Sequence, residues 1–172
     1  MSGIAGLVRF DGGPVRSSDI ERALNSLRPY GPDRSSMLCD GSVGLAHALA
    51  RVTPEDSFDD QPVRGPSGVT LNADLRLDNR SEILARVGID AATTAAWPDS
   101  RVLLYAWERL GHDVWALLRG PFAAAIWNPK TRTLTLARDH LGLHPLFWHA
   151  SKHFFAFASM PNALQRWAAA TS

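Results

Sequence analysis

The chain opens MSGIAGLVRF, and its second residue is the first candidate for chemistry. Removal of Met1 would leave Ser2 as the N-terminal residue, with a hydroxyl beside a free α-amine. In that arrangement the side chain attacks and the amine takes its proton as general base. The amine's ordinary pKa of about 8 suits it to that task near neutral pH. Ser2 is small, so Met1 removal is expected. A serine hydroxyl is a much weaker nucleophile than a thiolate at neutral pH, so the amine has to compensate. The competing reading is that Ser2 is a small polar residue opening an edge strand.

Other constellations are weaker. His140, His144, His149 and His153 invite a metal hypothesis, and the first two stand four apart. Gly142 and Pro145 exclude a regular helix between them, and neither cysteines nor enough carboxylates complete a ligand set. No metal site is expected. Phosphate-cradling glycine loops are missing from the sequence, which gives nucleotide binding no support. Trp107, Trp115 and Trp127 fall within apolar faces without interleaved basic residues, so core packing explains them better than base stacking. Cys39, the single cysteine, lies just before a turn-like Asp40-Gly41 and reads as structural.

These residues sit in a chain of 172, enough for one well-buried domain over 1–172. A hydrophobic content of 45% and a charged content of 20% are ordinary for a soluble globular protein. The net charge of +1 gives no reason to expect nucleic acid or an anionic membrane as a partner. No apolar run approaches the roughly 20 residues of a membrane span, and the start lacks a signal-peptide pattern. A cytoplasmic location is expected.

The elements that must position the chemistry are short. Strand-like runs come first: GIAGLVRF, VGLAHALA and GVTLNADLRL. Helices interrupt them. SSDIERALNSL carries Ser18 and Glu21 at capping-box spacing and a stripe of Ile20, Ala23, Leu24 and Leu27. DNRSEILARVG repeats that spacing with Asn79 and Glu82, faces Ile83, Leu84 and Val87 inward, and closes on Gly88. PDSRVLLYAWERLG opens on Pro98-Asp99 and buries Val102, Leu103, Ala106, Trp107 and Leu110. HDVWALLRG extends the helical region. The last third, PFAAAIWN, TLTLAR, PLFWH and HFFAFAS, is strand-rich again, with a hairpin turn at Asn128-Pro129-Lys130-Thr131, and PNALQRWAAA ends as a helix. Strands, then helices, then strands argue for two packed sheets flanked by helices and against a parallel βαβ fold.

MSGIAGLV, RPYGPD, GLAHAL, LNADL, DSRVLLYAWERLG, RGPFAAAIWN and LARDHLGLHPLFW occur in that order. Together they resemble the N-terminal, class II glutamine amidotransferase domain of asparagine synthetases, from Ser2 to about Met160. The resemblance implies an N-terminal-nucleophile hydrolase fold, an α+β four-layer αββα sandwich of two antiparallel sheets. It also implies site residues. Ser2 stands where that family has its nucleophilic cysteine. Asn72 and the Ala73 backbone amide take the oxyanion-hole positions of an Asn-Gly-Glu motif, and Asp74 replaces its amine-binding glutamate. Asp99 matches a second acid that contacts the substrate amine. Leu49 stands where the family has the arginine that binds the glutamine α-carboxylate, and Tyr30-Gly31-Pro32-Asp33 replaces Arg-Gly-Pro-Asp.

Losing that arginine removes a charge-assisted pair. Arg51 lies two residues on and would share Leu49's face if the strand continued. Shortening Glu to Asp draws the carboxylate back by one methylene. The nucleophile and the carboxylate anchor have both changed, which implies an inactive glutaminase. The family's ATP-pyrophosphatase domain has no counterpart here, so no cofactor is expected in this chain. ATP and magnesium would belong to a synthetase domain in cis or in trans. Relatives with a degenerate domain of this kind include β-lactam synthetases and lasso-peptide macrolactam synthetases, where an internal amine replaces ammonia. Two readings follow: a non-catalytic structural or docking domain of such an enzyme, or an active N-terminal serine amidohydrolase acting on glutamine or a related small amide.

Overall fold

In the computed structural model, which describes residues 1–168, the apolar runs become strands. In chain order the first elements are β1 (Gly3–Arg9), α1 (Ser17–Leu27), β2 (Arg34–Asp40), β3 (Val43–Leu49), β4 (Val63–Arg64) and β5 (Thr70–Leu75). There follow α2 (Arg80–Arg86), α3 (Asp99–Leu110), β6 (Phe122–Asn128), β7 (Thr133–Arg138), β8 (Phe147–Ala150), β9 (Phe154–Ala158) and α4 (Pro161–Ala168). The contacts divide the chain into two compact units, one of residues 1–51 with the segment from 144 onward, the other of residues 52–143.

The first unit holds an antiparallel sheet in the order β2-β3-β1-β9-β8. Strand alternation gives this sheet two different faces. Ala5, Leu7, Ala46, Ala48, Ala156 and Ala158 form the face that packs with Ile20, Ala23, Leu24 and Leu27 of α1 and Ala163 and Leu164 of α4. Alanines predominate on the sheet side, so the helices can lie close. On the opposite face Gly6 is required, because a Cβ there would come within 2.3 Å of the Phe157 ring.

The second unit holds an antiparallel sheet in the order β4-β5-β6-β7. Leu71, Ala73, Ala124 and Ile126 on one face form a core with Ile83 and Leu84 of α2 and Val102, Leu103 and Ala106 of α3. Trp107 and Trp115 pack against that core with ring centroids 5.2 Å apart, and Trp127 is buried. Two antiparallel sheets, each with its own helices, make this the α+β fold that the sequence implies.

Some local readings differ from the structure. β2 and β4 have no counterpart in the sequence reading: β2 is an edge strand exposed on most of its length, so its residues carry no apolar alternation, and β4 is two residues long. The Ser18–Glu21 capping box does not form, since α1 begins at Ser17 with Arg16 in the cap position and no side-chain cap bond. Asn79 does occupy a cap position, but its amide donates to Glu82 Oε2 (3.1 Å) and to the Leu117 carbonyl (2.8 Å). The stretch HDVWALLRG is helical only as a short 3₁₀ segment over Gly111–Ala116. Val87, Trp107 and Leu110 are half-buried, and positions 169–170 of the final helical stretch lie outside the described residues. Among the described residues no helix is long and apolar enough to cross a membrane.

Gly6→Ala should cost about 1–3 kcal/mol, because Phe157 must leave its place to admit the methyl group. Urea denaturation should show a lower midpoint with an unchanged slope.

Candidate active site

Ser2 immediately precedes β1, and it is buried. The β1–β3 register ends at Gly3↔Ala48, so the next step sets Ser2 across from Leu49. The serine Oγ accepts a hydrogen bond from the Ala50 backbone N–H at 3.1 Å, closing the end of that ladder. Leu49 is only 3% exposed and lies by strand parity on the same sheet face as Ile4 and His47. The structure therefore brings Ser2 and Leu49 together within the first unit.

The Gly31-Pro32-Asp33 segment braces this corner. A Cβ on Gly31 would come within 2.0 Å of the Ala48 carbonyl oxygen. The Asp33 N–H donates to the Leu49 carbonyl (3.0 Å), and Asp33 Oδ2 accepts from the Arg51 N–H (2.8 Å). β3 ends at Leu49, so the extended backbone that would have placed Arg51 on the face of Leu49 is not there. Arg51 is instead exposed in a loop.

In the second unit Asn72, Ala73 and Asp74 lie in the middle of β5, and all three are buried. Ala73 points into the helix-covered core. Asn72 and Asp74 point the other way, directly opposite Ala125 and Ala123 of β6, whose small side chains leave them room. The edge beside Ala73 is unusual. β4 covers β5 only at Leu71 and Thr70, and continuing its register brings Gln61 opposite Ala73. There the Gln61 side chain takes the place of a strand. Its Oε1 accepts the Ala73 N–H at 2.6 Å, and its Nε2 donates to the Ala73 carbonyl at 2.9 Å.

Gln61 is held in turn. Its Nε2 also donates to Asp59 Oδ2 (2.9 Å), and Asp59 Oδ1 accepts from Ser100 Oγ (2.7 Å) in the first turn of α3. All three of these polar residues are buried. Neighbouring Asp99 is equally committed. Its Oδ2 accepts the Leu77 N–H (2.8 Å), and its Oδ1 pairs with Arg80 Nη1 (2.9 Å), whose Nη2 donates to the Thr94 carbonyl. Burial pushes the Asp99 carboxyl above the ordinary aspartate range, outweighing the lowering pull of the Leu77 amide and of Arg80.

The remaining candidates fall outside this geometry. His140 lies in a turn and His149 on β8, while His144 and His153 lie in loops. Among the described residues no group of three or more His, Cys, Asp or Glu is placed to hold a metal ion. Cys39 is exposed on β2, and its thiol is pushed up by burial and by Asp19, the opposite of activation.

Glutamine amidotransferase domains, as a sequence family, match residues 1–172. The chain belongs to this family. An asparagine synthetase (glutamine-hydrolyzing) of Bacillus subtilis is 30% identical over 176 residues, 95% of this chain and 27% of that protein. A Mycobacterium bovis protein described by the same activity is 33% identical over 148 residues, 78% of this chain and 22% of its own length. The chain thus spans about a quarter or less of these relatives. The solved structure of glutamine phosphoribosylpyrophosphate amidotransferase from B. subtilis, complexed with ADP and GMP, superposes with a TM-score of 0.73 at 17% identity. That likeness, over 95% of this chain and 43% of the other, is one of fold.

Within this amidotransferase domain the sequence reading missed Gln61, Asp59, Ser100 and Arg80. Gln61 precedes a proline in a loop and belongs to no periodic pattern, so only the short β4 in the folded structure exposes its part.

Gln61→Leu removes both Ala73 bonds and strips Asp59 of a donor. Stability should fall by about 2–4 kcal/mol, and the Ala73 amide should lose its protection in hydrogen exchange. Asp99 makes a pH prediction. Its folded-state pKa is raised above the unfolded one, so ionising it disfavours the fold. The stability of the wild type relative to Asp99→Asn should fall as pH climbs from about 4, read from denaturation curves of both proteins.

Proposed function

We propose that this amidotransferase domain is a non-catalytic, structural or docking part of an ATP-dependent, amide-forming enzyme of the asparagine synthetase type. The observation that carries the reading is Leu49. Where the resemblance implies a guanidinium for the glutamine α-carboxylate, this chain has a buried hydrocarbon side chain at the end of β3. A carboxylate brought there would lose its water without gaining a charged partner, which is strongly unfavourable.

Three further features support the same reading. Ser2 replaces a thiol, and its Oγ already serves as acceptor for the Ala50 N–H. The Ala73 N–H, assigned by resemblance to the oxyanion, is given to Gln61 Oε1, so an oxyanion would have to displace a buried acceptor. Asp99 is engaged by Arg80 and Leu77. A domain that releases no ammonia is compatible with an enzyme whose nucleophile is an amine of the substrate itself. That compatibility supports reading the parent enzyme as a lactam- or lasso-peptide-forming synthetase. ATP and magnesium would then be held by the synthetase part, in cis or in trans, and not by this domain.

Intact mass before and after incubation with 6-diazo-5-oxonorleucine tests the reading. The wild type and Ser2→Cys should both stay unlabelled. A single adduct on Ser2 of a chain lacking Met1 would instead establish the alternative, an active N-terminal serine amidohydrolase. Labelling of Ser2→Cys with Leu49 unchanged would remove the argument from the lost anchor.

A further inference from the structure

Wholly within the second unit, a cleft of about 460 Å³ opens beside the end of β7. Its floor is aromatic: the rings of Trp115 and Phe122 stack with centroids 5.9 Å apart and planes 11° from parallel. At its mouth stand Leu141 and Leu143, 82% and 59% exposed. Arg76, Arg119 and Arg138 also line it.

The charges in this cleft do not cancel. Asp78 pairs with Arg76 through two bonds of 2.7 and 3.2 Å. Asp139, the other acid, accepts three backbone amides: those of Leu141 and Leu143 on Oδ1 and that of Phe122 on Oδ2. Arg119 reaches Glu82 only at 3.8 Å, with both side chains largely exposed. Such a pair contributes little. Arg138 is exposed and makes no ion pair or side-chain hydrogen bond among the described residues. The cleft therefore carries surplus guanidinium charge over an apolar floor.

We propose that this cleft binds a small anion carried on an apolar body: a carboxylate or phosphate attached to an aromatic or branched aliphatic group. The guanidinium fork of Arg138 matches either oxyanion in a two-bond arrangement. A volume of this size, apolar with few polar groups, is that of a small-molecule site. The apolar body would lie on Trp115 and cover the two leucines, which are otherwise left in water. Binding here is independent of whether Ser2 is active.

The test is an NMR titration of the whole chain with benzoate, phenyl phosphate, inorganic phosphate and uncharged benzamide, following the Trp115 indole and the Leu143 amide. Benzoate or phenyl phosphate should give saturable shifts, and the tighter of the two identifies the anion. Arg138→Gln should bind about tenfold or more weaker, as loss of a charge-assisted pair implies, while Arg86→Gln, an exposed change on α2, should bind as the wild type does. No saturation, equal binding by Arg138→Gln, or equal binding of benzamide would each overturn the proposal. Inorganic phosphate binding as tightly as phenyl phosphate would overturn the part assigned to the aromatic floor.

Discussion

A backbone amide buried away from water must be hydrogen-bonded, and at Ala73 the sheet gives it no strand to bond to. β4 is too short to reach it. The Gln61 side chain, an amide like the backbone, supplies both the acceptor and the donor that another strand would have supplied. A freely rotating Gln could not serve. Its orientation is set by Asp59, whose carboxylate accepts only and so fixes which end of the Gln61 amide carries the hydrogens. Ser100 then ties Asp59 to the start of α3, so the middle of β5 and the first turn of α3 are joined through buried polar atoms.

The residues that the resemblance assigns to the site are likewise held by contacts within the fold. Asp99 follows from its neighbours' needs: without it the Leu77 amide and Arg80 Nη1 would lose the acceptor each has here. Its contacts within the fold account for its presence, and both of its oxygens are already engaged. Leu49 illustrates the other case. Where the resemblance expects an arginine, the leucine is held by burial. Ser2 lies between these cases, since its hydroxyl closes the β1–β3 ladder whether or not it reacts.

Most of the architecture was legible because it is periodic. The stripe of α1, the inward residues of α2 and α3, and the strands around Leu71 and Ile126 all follow spacing rules that depend only on local geometry. The Ala-rich β6 could be read as a strand because bulky Phe122, Ile126 and Trp127 bracket its alanines. What escaped was set by neighbours distant in sequence. β2 is specified by pairing with β3 and not by its own pattern. Gln61, Asp59 and Ser100 matter through contacts spanning 12 and 41 positions, which no window on one sequence contains. Proposed site residues were reached by resemblance, and their actual hydrogen-bond partners only by folding the chain.

Cys39 has a practical consequence. It is the single cysteine of the chain, it is exposed, and it sits on a strand paired along its whole length with β3. The unaltered protein therefore carries one natural attachment point for a dye or spin label, fixed to the backbone of a sheet. With its thiol pushed up by burial, coupling would favour mildly alkaline solution. A probe placed there would report tumbling and assembly of the chain without any substitution.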